Sequence, residues 1–223
     1  MKSLFSLTVF IKFVLILLIF PNGSLGNLGS NVSFCGGRSD GGSGSFQIPG
    51  SEAGLDRVPI SLSEVCQRLV IKCTYVADTT RNLKSLYAAN KIEDPSLLAA
   101  LATTSRLTGF PPNPSEGMLN ETLLNNFNDQ QKILAFLRLA KKNELSSAYK
   151  RSISTIMNQV KGNLCELSVL LKSRHIPAER IRVQMPNNYK IMSQTSRYSW
   201  IYVLLRDVLE FFEGSTTLFT SYS

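Results

Sequence analysis

SLSEVCQRLVIKCTYVADTTRNLKSLYAAN, residues 61 to 90, decides the fold. Within it Leu62, Cys66, Leu69, Cys73, Val76, Thr80, Leu83 and Tyr87 recur at steps of four and three, which places them on one face of a helix. Ser61 and Glu64 have capping-box spacing, and Ser61 or Ser63 is set to accept from free backbone N–H groups. Asp94-Pro95 cannot continue the pattern, so the helix ends near Asn90. At 1.5 Å per residue it is roughly 42 Å long.

Three more long helices follow downstream. The second covers about Leu119 to Lys142, with Leu123, Leu124, Phe127, Leu134 and Leu137 inward. A short turn near Asn143-Glu144 leads to a third that reaches about Arg174, on the stripe Ile153, Ile156, Val160, Leu164, Leu167 and Leu171. The last covers about Thr195 to Phe219 and carries Trp200, Ile201, Leu204, Leu205, Val208, Phe211 and Phe212. Its apolar arc is the widest, so it is expected to be the most buried.

Residues 91–118 are punctuated by Pro95, Gly109, Pro111, Pro112, Pro114 and Gly117, with a short helix expected over Ser96 to Arg106. Residues 175–194, with Pro177 and Pro186, form a second long connection. A short link forces antiparallel neighbours, whereas about 20–28 residues can travel the length of such a helix and start the next one parallel. The order long, short, long predicts an all-α, up-up-down-down four-helix bundle with two long crossover connections.

The chain has 223 residues, 43% hydrophobic and 18% charged, with a net charge of +8, which suits one sizeable core and excludes whole-chain disorder. Residues 1–26 have a secretory signal layout: a basic start, an apolar run from Leu4 to Phe20, the breaker Pro21-Asn22-Gly23, and small residues in Ser24-Leu25-Gly26. Lys12 interrupts that run, and no later stretch approaches a membrane span, so a soluble secreted protein without membrane insertion is expected. Ten of the 14 glycines lie before residue 55, which reads residues 27–60 as a flexible Gly/Ser-rich leader and 61–223 as the helical domain.

Secretion makes Cys35, Cys66, Cys73 and Cys165 candidates for two bridges, in three connectivities. Cys66 and Cys73 are two turns apart on one helix, roughly 10 Å, too far to pair with each other. Cys66–Cys165 is reachable when the third helix's end lies beside the first helix's start, and Cys35 on the leader can reach any of the others. Asn31 and Asn120 head glycosylation sequons.

No catalytic motif or cofactor fingerprint is found, and no metal-binding cysteine spacing. The single histidine, His175, stands beside Arg174 at a helix C-terminus, where helping to satisfy free carbonyls is its plain reading. Basic pairs at Lys141-Lys142, Lys150-Arg151, Arg174-His175 and Arg180/Arg182 lack the aromatic platform of a nucleic-acid reader. They read as a solvated basic face, with weak attraction to anionic glycans as the functional alternative. Ile71 and Tyr75 point away from the first helix's inward stripe, near Gln67 and Asp78. Such a pair is either incidental or an interface anchor.

Three stretches resemble the interleukin-6 cytokine family, in its leukaemia inhibitory factor, ciliary neurotrophic factor and cardiotrophin branch, fish members included. They are Leu164-Cys165-Glu166-Leu167 running on to His175-Ile176-Pro177, Phe110-Pro111-Pro112, and Trp200 to Phe211. The similarity covers about residues 60–220. It implies a monomeric cytokine, neither enzyme nor cofactor protein, that gathers cell-surface receptors of the glycoprotein 130 and leukaemia inhibitory factor receptor type for growth-factor or immune signalling. It implies a Cys66–Cys165 bridge and three receptor-facing surfaces, with Gln67, Ile71, Tyr75 and Asp78 as the candidate for the shared receptor. Thr195 to Tyr198 stands where branch members carry Phe-x-x-Lys at the last helix's start. Arg197-Tyr198 or Tyr189-Lys190 are the candidate substitutes for a second receptor. From another class, a secreted helical carrier with an apolar ligand in its core fits the same stripes, and would need a cavity of about 300 Å³ or more. A cationic membrane-active protein fits less well, because charge and apolar faces are not segregated over a whole helix.

Overall fold

The computed structural model describes residues 61–185 and 193–223, together with the backbone of Gly26–Asn27. Five helices make up the described part: α1 (Leu62–Lys91), α2 (Pro95–Thr103), α3 (Leu119–Asn143), α4 (Ser147–Ser173) and α5 (Gln194–Thr220). A two-residue antiparallel pairing joins β1 (Gly26–Asn27) to β2 (Gln184–Met185). Apart from Gly26 and Asn27, the signal segment and the leader with Cys35 and Asn31 lie outside the described residues, as does Tyr189-Lys190.

The four long helices pack as a bundle, and the stripes read from periodicity face its interior. Cys66, Leu69, Cys73, Val76, Thr80, Leu83 and Tyr87 of α1 are buried, as is every expected stripe residue of α4 and α5. Val65 and Ala77 join them, while Leu62 and Leu124 are only half-buried at the edges. α5 is the most enclosed, with residues 199–209 buried without a break. Tyr87, Phe127, Phe136, Phe211, Phe212 and Phe219 are among the largest fully buried side chains. Burying each such side chain contributes about 1.5–3 kcal/mol.

The start of α1 meets the end of α4, where Lys72 Nζ lies 2.7 Å from Glu166 Oε1. Midway, Gln159 Nε2 donates to Thr79 Oγ1 at 3.0 Å. At the far end the Tyr87 and Tyr149 rings meet edge-on, 5.1 Å between centroids. α1 and α4 therefore run in opposite directions. Early α3 meets late α5, where Asn126 Nδ2 donates to Ser215 Oγ at 3.1 Å.

Local chemistry sets several helix ends. Asp94 caps α2, its Oδ1 accepting from Ser96 N at 2.8 Å, and Pro95 occupies the first turn, so this helix starts a residue earlier than expected. The Ser96 hydroxyl, which donates to the same oxygen at 2.6 Å, and then the Ser96 amide hold the Asp94 carboxyl below its ordinary range. Ser61 is the N-cap of α1 but forms no side-chain cap, contrary to the capping-box expectation. α4 ends through backbone groups: Ile176 N donates to Leu171 O at 2.9 Å and His175 N to Lys172 O at 3.1 Å, the paired pattern of a Schellman motif. His175 takes the left-handed conformation there, φ 58°, a place usually held by glycine. Its carbonyl-satisfying role is thus played by its backbone N–H.

The first long connection is pinned to α5 by charge. Arg206 Nη1 donates to Leu101 O at 2.8 Å and Thr104 O at 2.7 Å, satisfying free carbonyls at the end of α2. Asp207 accepts from Arg206 Nη2 at 2.6 Å and from Leu107 N at 2.8 Å. Burial pushes the Asp207 carboxyl above its ordinary range, against the Leu107 N–H and the guanidinium, which pull it down. Arg106 adds Pro111 O at 2.8 Å and Glu210 Oε2 at 3.1 Å. Gly109, at φ 80°, closes a turn in which Phe110 N donates to Leu107 O at 2.9 Å. The positive φ calls for glycine. That turn lays Phe110 against Phe136, 5.4 Å between centroids.

Among the described residues, no helix is long and apolar enough to cross a membrane.

Candidate functional site

The outer face of α1 carries two large apolar side chains with no cover from the described chain. Ile71 is 55% exposed and Tyr75 61%. Core residues such as Leu69 and Cys73 lie on the far side of the same helix, so the phase inferred from the stripe holds. Gln67, Thr74 and Asp78 flank the pair and are exposed.

Polar contacts frame it on both sides. Toward α4, Glu166 sits between Lys72 at 2.7 Å and Arg68 at 3.6 Å. Toward α5, Arg81 binds Asp78 and reaches Glu213 Oε1 at 2.8 Å. Asp78 is therefore engaged within its own chain and belongs to the rim. The frame fixes the backbone under Ile71 and Tyr75 to two neighbouring helices, so these side chains project from a rigid support.

A second cluster forms where the end of α1 meets the starts of α4 and α5. Tyr198 packs edge-on against Tyr87, 6.0 Å between centroids, and is half-buried rather than free on the surface. Lys91 Nζ lies 5.0 Å from the centre of the Tyr198 ring and 5.4 Å from that of Tyr149, within reach of cation–π attraction. Tyr87 donates to the fully buried Glu144 at 2.7 Å. Burial, then that bond and the carboxylate's charge, push the Tyr87 hydroxyl far up, so it stays a donor. Glu144 Oε1 also accepts from Leu145 N and Ser146 N, each at 2.8 Å, which locks the turn between α3 and α4. Leu86 and Leu145 stand exposed at this end, at 56% and 61%. Arg197 is half-buried, and its amide donates to Ser193 O at 3.0 Å.

Neither this cluster nor the Arg206–Asp207 clamp was singled out from sequence. Both had one available signal: a charged residue inside an apolar run or directly beside a helix stop must find partners when buried.

The Cys66–Cys165 bridge is not formed. Cys66 and Cys73 are free and buried, whereas Cys165 is disulfide-bonded. The helix phase explains the failure. Glu166 faces α1, and Cys165, about 100° back along the helix, turns away from it. The remaining cysteine, Cys35, lies outside the described residues. Burial raises the Cys73 thiol, and raises Cys66 against the opposing pull of Arg174. Asn120, the described sequon residue, is exposed and its Oδ1 accepts from Arg174 Nε at 2.7 Å.

A groove of about 280 Å³ lies between the first connection, α3 and the end of α5. Asn113, Thr122, Asn126, Asp129 and Lys132 line it together with Pro112, Pro114 and Leu218, a wall of mixed polarity. No protein-family model, curated protein or solved structure matches the chain.

Proposed function

We propose that the protein is a secreted four-helix cytokine of the interleukin-6 type that assembles cell-surface receptor chains through the outsides of its helices. The observation that carries this reading is the Ile71/Tyr75 pair: apolar anchors on a rigid face, more than half exposed and ringed by polar pairs. Binding hot spots have this layout, with aromatic or apolar anchors inside a polar surround. The up-up-down-down order is supported by the opposed run of α1 and α4, the contact of early α3 with late α5, and the short turn between α3 and α4. With α4 and α5 each opposed to a neighbour, α1 and α3 point the same way.

The end cluster is the surface for a second receptor. The absent Phe-x-x-Lys motif has a counterpart there. Tyr198 supplies a ring and Lys91 an ammonium group 5.0 Å from its centre, drawn from two helices instead of one. The exposed Leu86 and Leu145 extend this surface.

The test is binding of Ile71→Ala and Tyr75→Ala to immobilised glycoprotein 130-type ectodomain, with a thermal melt of each variant. The expected outcome is an unchanged melt and a loss of affinity of about thirtyfold or more for at least one variant. Parent-like binding by both correctly folded variants overturns the assignment.

A further inference from the structure

A strongly basic face lies where the second long connection crosses α3. Gln131 holds this crossing from both sides. Its Nε2 donates to Glu179 O and its Oε1 accepts from Ile181 N, each at 3.1 Å. The clamp fixes the backbone that carries Arg180 and Arg182, both exposed. Arg138 lies seven residues beyond Gln131, two turns along the same side of α3, and Lys142 one turn further, with Lys141 beside it. From Gln131 to Lys142 the face runs about 16 Å along the helix.

Five cations thus gather on a built surface. The ion pairs among the described residues include none of Arg138, Lys141, Lys142 or Arg182. Glu179 is the exposed acid beside them, while Glu144 is buried and taken up by Tyr87 and two backbone amides. Burial first, and the charge of Arg180 second, weaken the hold of Arg138 on its proton. The fold therefore keeps two guanidinium groups close enough to repel, an arrangement that an anion between them would relieve.

We infer that this face, built from Arg138, Lys141, Lys142, Arg180 and Arg182, is a docking surface for a sulfated glycan chain. Sulfate groups stay ionised at all physiological pH values, and the planar guanidinium fork matches two oxygens at once. The face is linear, as a polysaccharide needs. Among the described residues, no large exposed apolar side chain stands on α3 or on residues 176–183, so the face offers nothing to insert into a lipid layer. The inference does not depend on the receptor reading, because it concerns binding to the glycan alone.

The experiment compares the full protein with two triple variants on immobilised heparin across a salt series. The patch variant is Arg138→Gln, Arg180→Gln and Arg182→Gln. The control, Lys84→Gln, Lys161→Gln and Lys172→Gln, removes the same charge elsewhere. The patch variant should bind at least tenfold more weakly, and the slope of log K against log salt should fall by about 2. The control should stay within twofold of the parent. Equal losses in both variants overturn the inference, because total charge then suffices. A parent not retained at physiological salt also overturns it, as does tighter binding to phosphatidylserine vesicles than to heparin. Should the patch triple melt early, the exposed pair Arg180→Gln and Arg182→Gln is read by the same criteria.

Discussion

The middle of α5 and the outer face of α1 are opposite departures from the usual distribution of polarity. In α5, Arg206 and Asp207 are charged and buried; on α1, Ile71 and Tyr75 are apolar and more than half exposed. The buried pair is accounted for inside the chain, since each charge meets partners from the first connection, at 2.7–2.8 Å for the shortest contacts. The exposed pair has no such account, because the polar frame around it leaves both side chains uncovered. A residue on the unexpected side of a protein needs a partner. Where the chain supplies one, the residue is structural. Where it does not, a partner from outside is the economical explanation.

The contrast breaks most clearly at Arg206. Arg206→Ala should destabilise by about 3–5 kcal/mol, because it strands a buried carboxylate and several carbonyls. A loss under 1 kcal/mol in denaturant unfolding would mean that the clamp is ornamental. On the other side of the contrast, Ile71→Ala and Tyr75→Ala should each change stability by less than about 0.5 kcal/mol. A loss above 1 kcal/mol would place these side chains among structural contacts and leave their exposure without functional meaning.

A pH series sharpens the buried half. Asp207's folded pKa is raised, so its contribution is fully present below the ordinary carboxylate pKa and is lost as pH rises through the raised value. The stability advantage of the parent over Asp207→Asn should therefore shrink from about pH 4 toward neutrality. A growing advantage would show that the Arg206 charge outweighs burial. The smallest effect concerns His175. His175→Gly should raise stability by about 0.5–1 kcal/mol by relieving a left-handed residue, and a drop would reveal a side-chain role for the imidazole.

Periodicity made the bundle legible. The steps of three and four through Cys66, Leu69, Cys73 and Val76 determined the phase of α1, and Ile71 and Tyr75 followed as outward positions. Proline and glycine marked both long connections. What stayed hidden depends on pairs distant in sequence. Nothing near Arg206 announces the carbonyls of Leu101 and Thr104, a hundred residues earlier. Tyr198 looked like a surface residue because its covering ring, Tyr87, belongs to another helix. The cysteine pairing failed for a subtler reason. Cys165 lies at the height of Lys72 and Cys73 rather than of Cys66, which sits nearer Arg174, and Glu166, one residue on, takes the place that faces α1.

The clamp also bears on hydrogen exchange. Leu107 lies outside any helix, yet its amide donates to the buried carboxylate of Asp207. That proton can reach solvent only when the stretch lifts from α5, which strips Arg206 and Asp207 of their partners together. Its exchange should therefore be as slow as that of amides in the middle of α5 and should respond to denaturant with the same steep slope. Irregular backbone here belongs to the last cooperative unit to open, and a protease is expected to find the stretch around Leu107 closed for as long as α5 stays in place.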